Sequence, residues 1–278
     1  MGIKLRNSIA AALSPIKNAS FGSFTFLGSG GPLDRKEGTM SYLFELYGSN
    51  STVLVDCGPL VFDRLYNLNP WKRISAIILT SCEESSIGSL STIVKMMRSS
   101  KDAPVNIICM PHVEEFVRQY LFDANGIGEE GVLFHAVGSS DVSIAFGFTP
   151  SIRYTLRRTN PNFSMLVMEI SVNNEKVFLV HSGFIDRPAL DALSGHDSKA
   201  LLALMRKHPE NTIIFHDAVF QKKEGHCQFD ELLKWSDIHR NIFLFGHPFD
   251  EGNNINFSQR YMSSLSTKAD NVLLLEKQ

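Results

Sequence analysis

The chain has 278 residues, 44% of them apolar and 20% charged, with a formal net charge of −2. That is enough sequence to bury a sizeable core in one large domain. The near-neutral charge excludes a protein driven as a whole onto nucleic acid or a membrane by electrostatics, and no apolar run reaches the ~20 residues that a membrane helix needs.

Residues 1–20, MGIKLRNSIAAALSPIKNAS, carry Lys4, Arg6 and Lys17, with no acid before Asp34. They read as an amphipathic N-terminal helix or extension ending near Pro15, with a transit peptide as the other reading. Residues 21–278 show no linker, repeat or low-complexity tract and read as one domain.

SFTFLGSGGP is a strand entering a Gly-rich loop at Gly28, Gly30 and Gly31. MSYLFELYGSNSTVLVDCG alternates apolar and polar residues around a Gly-Ser-Asn-Ser turn, which predicts a β-hairpin. VFDRLYNLN is a short helix. ISAIILT is a continuous apolar run, as expected of a strand covered on both faces. IGSLSTIVKMMRSS has helical spacing, VNIICM is a further buried strand, and HVEEFVRQYLF a further helix.

The second half repeats this style. Strands are expected at VSIAFGF, SIRYTL, SMLVMEISV and EKVFLVHSG, the last two joined by an Asn-Asn-Glu turn. A helical stretch runs from Pro188 to Lys207. TIIFHDAVF, FDELLKWSD and NIFLFGHP then alternate strand, helix, strand. Two β-rich halves, each edged by helices, predict an α/β sandwich of two sheets with helices outside.

Four cysteines, at positions 57, 82, 109 and 227, lack any C-x-x-C spacing. They are expected to be free thiols in a reducing, cytoplasmic setting, not a disulfide framework or a zinc knuckle.

Seven segments occur in an order that resembles the metallo-β-lactamase fold, in particular its tRNase Z-like and cyclic-nucleotide phosphodiesterase branch. They are FLGSGGP, VLVDCG with Asp56, IILT followed by IGSL, RRTNPNFSM, FLVHSGF, IIFHDAVF followed by GHCQFDE, and LFGHP. The resemblance spans about Phe24 to about His247 and implies a four-layer αββα sandwich. It also implies homodimers or pairing with a related subunit.

Chemistry in the resembled family uses two metal ions, usually zinc, which polarise a phosphate and lower the pKa of a bridging water to about 7. Its metal loop normally reads T-H-x-H-x-D-H-I-G-G-L. Here Ser81 and Glu83 stand at the first two histidines, Ser85 at the aspartate and Ser86 at the last histidine. Arg158 stands at the next ligand and Phe184 at the bridging aspartate, leaving His247 as the ligand retained. One ligand cannot hold a zinc ion that normally takes four, so neither metal nor another cofactor is expected. Phe184 fills volume, and Arg158 adds permanent positive charge and is expected to pair with Glu83 where metal stands in the family. Asp56 is expected to bond backbone N–H groups near the loop.

His216, Asp217 and His226 resemble the branch's general-acid pair, in which a carboxylate orients a histidine. With the metal loop altered, they are expected to be structural remnants. His181, at a strand end, is a candidate to face the old cavity. Ser81, Ser85 and Ser86 also raise a serine nucleophile, but no base is placed beside them, and hydroxyls in a polar turn are expected to be solvated.

The leading expectation is a catalytically degenerate protein that binds a ligand, nucleic acid or protein partner, in a cleft lined by Ser81, Glu83, Ser85, Ser86, Arg158, Phe184 and His247. YTLRR and the Lys222-Lys223 pair suggest a nucleotide or RNA backbone as one such ligand. The alternatives are a phosphodiester hydrolase with an atypical site built on Glu83, His216, Asp217, His226 and His247, and a structural subunit of a larger assembly.

Overall fold

A computed structural model describes residues 22–28, 38–46, 52–136, 151–158, 164–172, 175–182, 212–218, 227–228, 242–246 and 272–274, with Ala203 and Glu231. In 22–23, 46, 151–158, 164, 171–172, 175–177, 182, 217–218, 242–246 and 272–274 it describes the backbone course alone.

Two six-stranded sheets share one design. The first has the order β1 (Gly22–Gly28), β2 (Ser41–Leu46), β3 (Thr52–Val55), β4 (Ile74–Ile78), β5 (Val105–Cys109), β6 (Val132–Ala136). Strands β1 to β3 are antiparallel, and β3 to β6 run parallel. The second runs through β7 (Ser151–Arg158), β8 (Ser164–Val172), β9 (Glu175–Ser182), β10 (Thr212–Ala218), β11 (Ile242–Gly246) and β12 (Val272–Leu274). There too the first three strands are antiparallel and the rest parallel.

Among the described residues, four α-helices belong to the first half: α1 (Val61–Leu68), α2 (Glu84–Ile87), α3 (Leu90–Ser100) and α4 (Pro111–Arg118). In α3 the buried residues Leu90, Ile93, Val94 and Met97 follow the i, i+3, i+4, i+7 spacing of one helical stripe. Val113 and Val117 of α4, and Val61 and Leu65 of α1, do the same over one turn. These stripes bury Leu43, Leu54, Ile77 and Ile107 from the outer face of the first sheet. Arg64 of α1 also reaches the Leu27 carbonyl at the end of β1.

Because side chains of a strand alternate between faces, the residues between these outward ones face the second sheet. The Phe215 ring of β10 lies 5.5 Å from Phe24, 5.3 Å from Phe26 and 5.3 Å from Tyr42, all on the first sheet. This aromatic cluster is the seam between the sheets.

Most of the sequence reading is visible here. The hairpin, the covered strand at 74–78 and the strands expected at SIRYTL, SMLVMEISV, EKVFLVHSG, TIIFHDAVF and NIFLFGHP stand where the pattern put them. Strands β6 and β12 were not anticipated. The helix expected across 112–122 is α4 followed by a π-helical turn, Gln119–Ala124. The N-terminal segment 1–20, the strand expected at VSIAFGF, and nearly all of the helices expected at Pro188–Lys207 and FDELLKWSD lie outside the described residues.

Truncating the seam should be costly. Phe215→Ala is expected to lower stability by about 3–5 kcal/mol in urea unfolding. Tyr66→Ser, at a ring 60% exposed on α1, is expected to stay within about 0.5 kcal/mol of the parent.

Candidate functional site

The parallel strands β3 and β4 carry their C-terminal ends to one edge of the first sheet, and β9 and β10 do so in the second. The two edges lie together, because Tyr42, in register with Val55 at the end of β3, contacts His181 near the end of β9. Loops beyond the carboxyl ends of parallel strands are where sheets of this kind hold ligands.

Asp56 follows β3 and is fully buried. Its backbone is left-handed, with φ of 56°, a conformation that aspartate tolerates better than most residues. Oδ1 accepts from the Thr80 N–H at 2.9 Å, and Oδ2 accepts from the Thr80 hydroxyl at 2.7 Å. The Ser86 hydroxyl is a further donor to the carboxylate. Backbone bonds complete the seam: Cys57 N–H donates to Ser86 O, and Ser89 N–H to Cys57 O, both at 2.7 Å. Burial nevertheless outweighs these donors and raises the Asp56 carboxyl from 3.8 to about 7. The approach is close enough to demand glycine at 58, where a Cβ would stand 1.7 Å from Thr39 Oγ1 and 2.3 Å from Ser85 O.

The 80–86 turn is therefore closed on itself. Ser81 is buried and its Oγ accepts the Glu83 N–H at 2.8 Å. Ser86 is buried against Asp56. The expectation that these two hydroxyls are solvated is thus corrected: a buried hydroxyl needs a partner, and each finds one within the fold. Glu84 is exposed, and Cys82, Glu83 and Ser85 are half-buried, so these residues are the reachable part of the turn. The half-buried Cys82 thiol is held above its ordinary pKa by burial and by the charge of Glu83.

These residues do not fit the dinuclear metal centre that the fold's enzymes use. Two hydroxyls at ligand positions are committed to Asp56 and to the backbone. Among the described residues no three His, Cys, Asp or Glu side chains stand close enough to share an ion.

The second half places its candidates differently. Phe215 faces the seam, so His216, the next residue of a regular strand, faces the other side of the sheet, where it is buried. Asp217 continues the strand in register with Phe245. The side chain of Asp217 lies outside the described residues, so its pairing with a histidine involves a group that is not described. Arg158 ends β7 in register with Ser164, and its side chain lies outside the described residues, as do Phe184, Lys222, Lys223, His226 and His247. The Arg158–Glu83 pairing therefore involves a side chain that is not described. His181 does face inward, though not into an open cavity: it is buried, with Nδ1 hydrogen-bonded to the Tyr42 hydroxyl at 3.3 Å. Burial and the charge of Asp56 push the Tyr42 phenol well above its ordinary pKa, so it keeps its proton. Neither Tyr42 nor Thr80 stood out in the sequence. All four cysteines are free thiols, and no helix of the described residues is long and apolar enough to cross a membrane.

The Asp56 carboxyl should make the protein weaken as pH rises. Between pH about 4 and about 7 the unfolded chain has lost this proton while the folded chain keeps it. Stability contributed by Asp56 is therefore complete below about 4, declines through that window and levels off above it. The decline is expected to be on the order of 4 kcal/mol. Asp56→Asn, a neutral stand-in for the protonated acid, is expected to flatten the slope in urea titrations run at successive pH values.

No family model matches the sequence, and no curated protein matches it. Solved structures do. The metallo-beta-lactamase fold protein YhfI from Bacillus subtilis superposes with a TM-score of 0.65 at 15% identity, covering 91% of this chain and 95% of that one. Human tRNase Z, short form, gives 0.62 at 15% identity, covering 91% and 96%. A diphosphatase from the PhnP family gives 0.61 at 14% identity, covering 92% and 97%. Identities this low speak to architecture alone, and the architecture agrees over nearly the whole length of both partners: the chain has the metallo-β-lactamase fold.

Proposed function

We propose that this protein acts by binding at the shared edge of its two sheets and not by metal-assisted hydrolysis. The observation that carries the reading is the closed 80–86 turn. Where the fold's enzymes present metal ligands, Ser81 and Ser86 are turned onto the protein's own backbone and onto Asp56. A hydrolase of this type needs a metal-lowered water pKa, and hydroxyls already used as internal partners do not supply it.

The ligand is a phosphate-bearing molecule, a nucleotide or a short stretch of RNA. Two structures of the same architecture carry the names tRNase Z and diphosphatase, and Arg157 and Arg158 close β7. Pairing with a second copy or a related subunit is part of the same reading, since a degenerate copy can act by completing an active one.

The test is metal content by mass spectrometry on protein purified without chelators, before and after addition of zinc and manganese, with bis(p-nitrophenyl) phosphate as a hydrolysis probe. Less than one-tenth of an ion per chain and no turnover are expected. Stoichiometric metal with turnover abolished by Glu83→Ala would replace this reading with that of a hydrolase built on an atypical ligand set.

A further inference from the structure

The two halves of the shared edge come from different sheets, and one side chain touches both. Tyr42 lies in register with Val55, one residue before the carboxylate that holds the 80–86 turn. Its hydroxyl meets His181, one residue before the end of β9. Both side chains are buried, Tyr42 at 0% and His181 at 3% exposure. The rings around them, Phe24, Phe26 and Phe215, make edge-on and tilted contacts with Tyr42. Such contacts tolerate small shifts, because dispersion attraction has little direction. A buried hydrogen bond does not: a displacement that breaks it leaves a donor and an acceptor away from water.

We propose that the Tyr42–His181 hydrogen bond couples the two halves of the edge, so that the position of the 80–86 turn and that of the end of β9 are set together. The path is short and physical. The turn hangs from Asp56 through Thr80 and Ser86. Asp56 continues β3, whose last residue is paired to Tyr42. The phenol passes the constraint across the seam to His181, which leads into Ser182 and Gly183. A ligand that closes on one half is then felt by the other, with no contact between the loops themselves.

Amide exchange measured by NMR on the full chain tests this. The reporters are the N–H groups of Glu83 and Ser86, which bond Ser81 Oγ and Glu83 O, with Ile107 and Cys109 of β5 as reference. Tyr42→Phe keeps the ring and removes one oxygen. It is expected to speed exchange at Glu83 and Ser86 about tenfold relative to the reference, within the usual 5- to 150-fold range of coupling between sites. His181→Leu should do the same, and the double variant should add nothing further. His181→Asn, which puts an amide oxygen near the place of Nδ1, should restore slow exchange.

If turn and reference amides accelerate by one common factor, Tyr42 contributes to stability alone and the proposal falls. Full additivity of the two single variants overturns it as well. Should Tyr42→Phe fail to fold, the reverse measurement serves. Coupling is reciprocal, so Thr80→Val, which removes a hydroxyl donor to Asp56, must speed exchange at Val180 and His181 relative to β5, and unchanged exchange there would end the idea.

Discussion

A carboxylate taken out of water has to be surrounded by donors or give up its charge, and much of this molecule's edge is arranged around that demand at Asp56. Strand β3 delivers the group to the end of the sheet, and β4 delivers Thr80 beside it with both of its donors. The chain then folds back so that Ser86 arrives as a further donor while its carbonyl takes the Cys57 N–H. Close approach leaves no room for a Cβ at Gly58. The turn between Thr80 and Ser86 is in this sense a ligand shell whose central ion is the protein's own carboxyl group.

That arrangement explains how the 80–86 turn is held in place by the protein's own groups. Metal ions would supply positive charge at this edge. Here Ser81 and Ser86 are neutral hydroxyls that serve as hydrogen-bonding partners. With no cation near Asp56 among the described side-chain contacts, its carboxyl titrates close to neutrality. Hydrogen bonds from Thr80 and Ser86 moderate the cost of burial without cancelling it.

The strands and helices were legible because their signals are local. Apolar alternation at 41–46, the unbroken apolar run at 74–78 and the helical stripe at 90–97 each report burial through side-chain spacing. Strand β6 escaped because it is an edge strand: Leu133 is 48% exposed, and Phe134 is covered by the Arg118 guanidinium at 4.5 Å instead of by another strand. The burial of Ser81 and Ser86 escaped for a different reason. A run of serines and glutamates reads as solvated polar turn, and only the meeting of that turn with Asp56, more than twenty residues earlier, takes it out of water. The Tyr42–His181 contact spans 139 positions, so no window of sequence contains it. Likewise, the opposite facing of His216 and Phe215 follows from strand period, but which of the two meets the first sheet is settled only by packing.

The two sheets repeat one strand order, and every described pairing joins residues of the same half. Each half can therefore complete its hydrogen-bonded ladder without the other, and loop-closure entropy is met first over short separations. What joins the two halves is then the meeting of their faces at the aromatic seam. Assembly of this chain then resembles the association of two subunits tied by a linker, with a high effective concentration in place of a dissociation constant. The edge that carries Asp56, Tyr42 and His181 comes into being only when that association is complete.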